Sequence, residues 1–242
     1  MKTIHLETID STNSYAKSHV QEFDPNAVTC IYAEQQTAGR GRFNRSWFSP
    51  NSENIYATFV FSLSSTALHL TSLAQVMTLS FASVLLREED LYPRIKWPND
   101  VQLNGKKVSG VLCETRFDQH RVEVFLGIGV NVNMTAEELA QIDQKATSLR
   151  EETGREWDRN AVLKKLQQQF LIDLEKFKRS GFMHFHQQFE NLLAYKGETI
   201  SCFDGKNKWT GVCHSITNDG KLKLYLPDQE LKIISSGDVS VF

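Results

Sequence analysis

After Ala194 the sequence changes character. Gly197, Gly205, Gly211, Gly220 and Gly237 punctuate short β-like runs at Glu198–Phe203, Thr210–Ile216 and Leu222–Leu226. Asn218-Asp219-Gly220 stands between two of these runs, and Asp-Gly is a strong hairpin signal because the tight turn needs positive φ. About fifty residues of closely spaced strands predict a small barrel-like unit over 194–242. The preceding residues, 1–193, must therefore bury a core of their own, and a segment of that length suffices for one full domain.

That first part mixes the two periodicities. Leu70, Leu73, Met77, Phe81 and Val84 recur at helical spacing, which predicts an amphipathic helix over His69–Arg87. Val162, Leu166, Phe170, Leu174 and Phe177 form a second stripe, which Asp158 can cap, in a helix running to about Lys178. A further helix is expected over Met183–Leu193, and a short one after Asp10-Ser11-Thr12-Asn13, a cluster of N-cap types. Thr3–Glu7, Ala27–Ala33, Ile55–Leu63, Arg94–Trp97, Lys107–Arg116 and Arg121–Val132 read as strands, with Asp118-Gln119-His120 as a turn. The fold class is α+β: a mixed sheet flanked by helices, followed by a small β-barrel.

Composition narrows the setting. The chain is 40% hydrophobic and 23% charged with a formal net charge of −2, which suits a globular protein and gives no global electrostatic reason to expect DNA as a partner. The four cysteines, Cys30, Cys113, Cys202 and Cys213, form no Cys-x-x-Cys pair and read as reduced thiols. No apolar leader and no run long enough to cross a membrane is present, so a cytoplasmic protein is expected.

Four segments concentrate chemistry. Gly39-Arg40-Gly41-Arg42-Phe43-Asn44-Arg45, followed by Trp47, packs three like charges into a flexible loop. Such a loop suits a carboxylate or phosphate ligand, although a solvated turn remains open on these residues alone. Lys96-Trp97-Pro98-Asn99-Asp100 and Asn104-Gly105-Lys106-Lys107-Val108-Ser109-Gly110 mark strand ends, where α/β proteins place ligand groups. Asp100 could help hold a divalent cation, and Lys107, at the start of an apolar strand, could point into a partly desolvated site; an exposed hairpin is the alternative. In Gly127-Ile128-Gly129-Val130-Asn131-Val132-Asn133, two strand glycines suggest close approach of a backbone or a ligand. Ser11-Thr12-Asn13 could cap a helix, bind a ligand at its N-terminus, or both.

In this order the segments resemble biotin–protein ligases. The matching features are Asp10-Ser11-Thr12-Asn13, Glu34–Arg42, Arg45 with Trp47, Lys96–Asp100, Lys107 with Gly110, and Gly127–Asn131, spanning residues 10 to 133. The resemblance implies a catalytic domain like those of class II aminoacyl-tRNA synthetases over 1–193, and an SH3-like domain over 194–242. Phe43-Asn44 stands where many members have Arg-Gly, so one loop charge is missing. Some members carry an N-terminal DNA-binding unit. Here the chain opens directly on the catalytic domain, so no repressor role is expected.

The resemblance also implies the chemistry. Biotin and ATP, with Mg²⁺, give biotinyl-5′-AMP and pyrophosphate; a lysine of a biotin carboxyl carrier protein then takes the biotinyl group. The implied catalytic residues are Lys107 and Arg42. Ser11, Thr12, Asn13, Gln36, Gly39, Arg40, Gly41, Arg42, Lys107 and Gly110 are expected to hold biotin. Arg40, Arg42, Arg45, Trp47, Lys96, Asn99, Asp100, Lys107 and Asn131 are expected around ATP and the adenylate, with Asp100 toward the metal. A homodimer is compatible with the sequence. The rivals are a lipoate–protein ligase, whose usual loop is Arg-Arg followed by a glycine run, and a non-catalytic biotin- or nucleotide-binding module.

Overall fold

The computed structural model describes residues 1–51, 54–64, 70–88, 90–118 and 121–241. One sheet contains β1 (Lys2–Ile9), β2 (Thr29–Gln36), β3 (Ile55–Ser64), β4 (Arg94–Lys96), β5 (Asp100–Leu103), β6 (Lys106–Phe117) and β7 (Arg121–Val130). Its order is β1-β2-β3-β7-β6-β5-β4. β1 and β2 are parallel and the other pairs antiparallel, so the sheet is mixed. The helices are α1 (Thr12–Ser18), α2 (Leu73–Leu85), α3 (Ala136–Leu139), α4 (Leu149–Thr153), α5 (Arg159–Ser180) and α6 (His186–Leu192).

Strand alternation divides the sheet into two faces. On β3, Phe59 and Phe61 meet Phe170 of α5, with ring centroids 5.0 and 6.0 Å apart. Val60 points the other way, into a smaller cluster with Ala16, Val20, Phe23, Ile31 and Phe125 beneath α1. The stripe expected on α5 is buried, and Asp158 caps it by accepting from the Asn160 and Ala161 amides. α2 is preceded by a single 3₁₀ turn, Leu70–Ser72. The expected helix start at His69, and Gln119-His120 of the expected turn, lie outside the described residues.

The structure adds elements that the sequence pattern hides. β5 is only four residues long and begins two residues after Pro98, too short to show alternation. α3 and α4 are brief helices made definite by their caps, a capping box at Thr135 with Glu138 and a Ser148 side chain accepting from the Glu151 amide.

The second sheet holds β8 (Thr199–Phe203), β9 (Lys208–Ile216), β10 (Leu222–Tyr225), β11 (Leu231–Ile234) and β12 (Asp238–Val241), in the order β11-β10-β9-β8-β12. All its pairings are antiparallel, consistent with an SH3-like unit. Asn218-Asp219-Gly220 does join β9 to β10. The Gly220 carbonyl also accepts from Gln75 Nε2 (2.6 Å) and Trp97 Nε1 (2.9 Å), and a Cβ at Gly220 would lie 2.1 Å from Gln75 Oε1. This glycine turn thus docks the second sheet on α2 and the end of β4.

No helix among the described residues is long and apolar enough to cross a membrane. The four cysteines are free, and burial pushes the Cys30 and Cys113 thiols up to about 12.

Candidate active site

The face of the first sheet that carries α1 also carries a cleft. Its floor follows from a bulge in β6 and from glycines that face each other on β6 and β7. A register shift between Val101 and Gln102 of β5 gives β6 one extra residue, so Gln102 pairs with Lys107 while Val101 pairs with Ser109. Such a bulge re-aims the side chain beside it. Lys107 thereby shares a face with Gly110, whose added Cβ would lie 3.1 Å from Lys107 Nζ. Lys107 Nζ lies 2.8 Å from Asp100 Oδ1 and 5.2 Å from the Trp47 ring centroid.

Gly110 and Gly129 pair across β6 and β7, and together they leave a slot without side chains. Trp47 fills it: a Cβ on Gly129 would lie 2.3 Å from the indole, and one on Gly110 3.0 Å. Gly127 admits Asn13 in the same way, with a Cβ 2.5 Å from Asn13 Oδ1. The close approach expected at these strand glycines is therefore made by the chain's own side chains.

One wall is neutral and hydrogen-bonded. Ser11 occupies the N-cap position of α1 but makes no side-chain capping bond, so helix capping does not account for the Ser-Thr-Asn cluster. Thr12 donates its amide to Gln36 Oε1 at 2.9 Å, and its hydroxyl oxygen lies 3.1 Å from the same atom. The Thr58 hydroxyl lies 2.8 Å from Thr12 Oγ1 and 2.6 Å from Asn13 Oδ1. Gln36 Nε2 donates to Ser49 Oγ, and Ser49 to the Trp47 carbonyl.

The arginine loop forms a miniature hairpin. Arg40 bridges to Ser46, the Gly41 amide donates to the Arg45 carbonyl, and the Trp47 amide to the Gly39 carbonyl. Phe43 and Asn44 turn the chain at φ 55° and 57°. Asn tolerates that region, whereas Phe is strained there by ~1 kcal/mol. Two expectations need correcting. The Gly41 amide is spent inside the hairpin and is not offered to an anion. Gly39 does not line the cleft; its missing side chain lets the loop close, since a Cβ would lie 2.5 Å from the Trp47 carbonyl.

The three loop cations do not simply repel one another, as their spacing suggested, because partners separate them. Arg40 pairs with Glu114 (3.1 Å) and Arg45 with Asp238 (2.5 Å). Among the described residues Arg42 hydrogen-bonds neutral acceptors, Asn99 Oδ1, the Gly237 carbonyl and Ser236 Oγ. Burial lowers the Arg42 pKa, against the opposing charges of Asp100 and Asp238; a guanidinium stays charged regardless.

Of the other expected residues, Ser11, Asn99 and Asp100 line the cleft, whereas Lys96 and Asn131 do not. Lys96 is held 3.4 Å from Asp238. Asn131 is buried beside it all, donating to the Thr147 carbonyl and leaving Oδ1 without a partner. Sequence reasoning missed Thr58, Glu114, Gln144 and the Ser236–Asp238 turn. Thr58 carried a signal, as a polar residue between apolar neighbours, whereas Glu114, followed by Thr115 and Arg116, did not stand out. Asp238 carried none: it lies beyond the motif region and reaches the cleft only because the second sheet docks there. Burial pushes its carboxyl up, but Lys96 and Arg45 hold it below the ordinary range.

Residues 5–131 match the model of the biotin/lipoate A/B protein ligase family. The chain is 30% identical over 237 residues to the bifunctional ligase/repressor BirA of Escherichia coli, covering 98% of this chain and 73% of that protein. It is 32% identical to the biotin–[acetyl-CoA-carboxylase] ligase of Paracoccus denitrificans, covering 92% and 93%. Among solved structures, the biotin protein ligase of Aquifex aeolicus in complex with biotin and ATP superposes with a TM-score of 0.82 at 34% identity, covering 99% of this chain and 97% of that one.

Proposed function

The chain belongs to the biotin/lipoate A/B protein ligase family, and on that premise we propose that its cleft converts biotin and ATP to biotinyl-5′-AMP and pyrophosphate. It then transfers the biotinyl group to a lysine of a biotin carboxyl carrier protein. The observation that carries this reading is the meeting of unlike surfaces in one cleft. Lys107 and Arg42 supply positive charge, and Thr12, Asn13 and Gln36 supply a neutral polar wall.

The first step brings a carboxylate against an α-phosphate, so cations must offset the repulsion of two anions. Lys107 has three donors and Asp100 takes one, which leaves two for the ligands. Arg42, bonded among the described residues to neutral groups, keeps its charge for the phosphates, with Arg40 and Arg45 beside it. The neutral wall matches the ureido ring of biotin, which offers both donors and an acceptor. In the second step the acceptor lysine attacks the mixed anhydride and AMP leaves.

Mg²⁺ fits this donor set. No group of three His, Cys, Asp or Glu that could hold a metal occurs among the described residues. Mg²⁺, however, needs only one or two protein carboxylates when phosphates supply the rest. Asp100 is that carboxylate, and the ion would neutralise phosphate charge. Residues 1–193 act as the catalytic unit, and 194–242 complete its phosphate side through Asp238.

Purified chain, ATP, Mg²⁺ and a carrier domain, with biotin or lipoate, test the reading. Biotin-dependent pyrophosphate release with mass gain on the carrier is expected. Lipoate-dependent turnover, or biotin binding without turnover, contradicts it.

A further inference from the structure

Glu114 projects from β6 toward the cleft wall at the point where three groups from different segments converge. Its Oε2 accepts from Asn13 Nδ2 at 2.9 Å and from Arg40 Nη2 at 3.1 Å, and its Oε1 from Lys17 Nζ at 2.5 Å. Burial pushes its carboxyl up, but the bonds from Lys17 and Asn13 and the charges of Lys17 and Arg40 hold it below the usual carboxylate range. Glu114 is thus an ionised group that only accepts hydrogen bonds.

That property propagates. A carboxylate can take only the NH₂ end of Asn13, so Asn13 Oδ1 must face Thr58, whose hydroxyl lies 2.6 Å away. The Thr58 proton is then committed to Asn13, so its oxygen accepts the one Thr12 hydroxyl proton across 2.8 Å, and Gln36 Oε1 accepts from the Thr12 amide alone. The Thr12 backbone amide takes Gln36 Oε1, which leaves Nε2 for Ser49, and Ser49 donates to the Trp47 carbonyl. Asn13 sits over Gly127, in the space that a Cβ there would take, 2.5 Å from its Oδ1. The network therefore begins and ends on the same hairpin, at Arg40 and at Trp47.

We propose that Glu114 is a positioning residue for the acyl substrate: it orients Asn13, Thr58 and the Thr12 hydroxyl on the cleft wall and anchors the Arg40 strand of the loop, without touching the reacting atoms. This inference rests on the biotin-ligase reading and adds to it a residue that sets which way the wall's donors and acceptors point. ATP is placed toward Arg42, Asn99 and Asp100, and it meets the network only at its two ends, Arg40 and Trp47.

The test compares wild type and Glu114→Gln as full chains. Three quantities are measured: the KM values for biotin and ATP in pyrophosphate release, tryptic cleavage after Arg40, Arg42 and Arg45 without ligands, and Tm. The expected result is a biotin KM raised by at least ~10-fold, the size of one lost charge-assisted hydrogen bond. The ATP KM should rise by less than the biotin KM, and loop cleavage should quicken. An unchanged biotin KM overturns the inference, as does a parallel rise in both KM values with a fallen Tm, which is what a merely structural role produces. If Glu114→Gln does not fold, Glu114→Asp, which keeps the charge on a shorter stem, is judged by the same ranking. A wild-type chain that releases no pyrophosphate with biotin removes the functional reading instead, and loop cleavage then decides the anchoring role alone.

Discussion

Lys107 Nζ lies 2.8 Å from Asp100 Oδ1, with the two side chains only 16% and 11% exposed. The pair is assembled by the bulge in β6, which turns Lys107 onto the cleft face, and by β5, which puts Asp100 opposite Gly110. Asp100 thereby aims the ammonium across the glycine floor. Replacing it with Asn keeps the shape and removes the charge. We expect Asp100→Asn to lower kcat for pyrophosphate release by ~10-fold or more, with an increased Mg²⁺ requirement, as for loss of a charged hydrogen-bond partner. A Mg²⁺ titration of initial rates checks both, and unchanged values would remove Asp100 from the site.

Trp47 and Gly129 make a steric pair. Gly129→Ala forces a Cβ within 2.3 Å of the indole, and overpacking of this kind costs ~1–3 kcal/mol. The same substitution in a Trp47→Ala background should cost little, because the obstructing ring is gone. Urea unfolding of the four members of this cycle measures the coupling. Equal costs in both backgrounds would mean that Trp47 does not occupy the slot.

Asp238 ties the second sheet to the loop through Arg45 and Lys96. Its folded-state pKa is depressed, so its contribution to stability is present above the unfolded carboxyl pKa and is lost as pH falls through the folded value. Arg45 is 60% exposed, which limits the contribution to ~1 kcal/mol. Asp238→Asn should therefore lower Tm by ~2–4 °C at pH 7. The gap from wild type should close as the pH falls below ~3.9, the ordinary aspartate value. Thermal melts at both ends of that range decide it; a gap that persists in acid would show that charge is not the cause.

The core between β3 and α5 gives a stability control away from the site. Phe170 sits fully buried against Phe59 and Phe61, and Phe170→Ala should cost ~3–5 kcal/mol. Denaturant unfolding measures it, and a loss below ~1 kcal/mol would contradict this packing.

How much of this was legible in the sequence follows from range. The α5 stripe from Val162 to Phe177 and the Asp219-Gly220 turn are local patterns, and local physics produces them. The arginine loop, Lys107 and the Ser-Thr-Asn cluster stood out because their residue types are costly where they stand. Other features depend on what sits across space. Gly127 and Gly129 announced a close approach but not that Asn13 and Trp47 make it. Arg40 and Arg45 looked like a knot of repulsion because Glu114 and Asp238 are 74 and 193 residues away. β5 and β11 are too short to show a period, and the Lys107 bulge is visible only in the register.

The measurement that bears most directly on the central claim is biotin-dependent pyrophosphate release by wild type and Lys107→Ala under the same conditions. The account predicts turnover by wild type and a loss of at least ~100-fold in the variant, typical of removing one charge-stabilising group. Near-normal release by Lys107→Ala would contradict it.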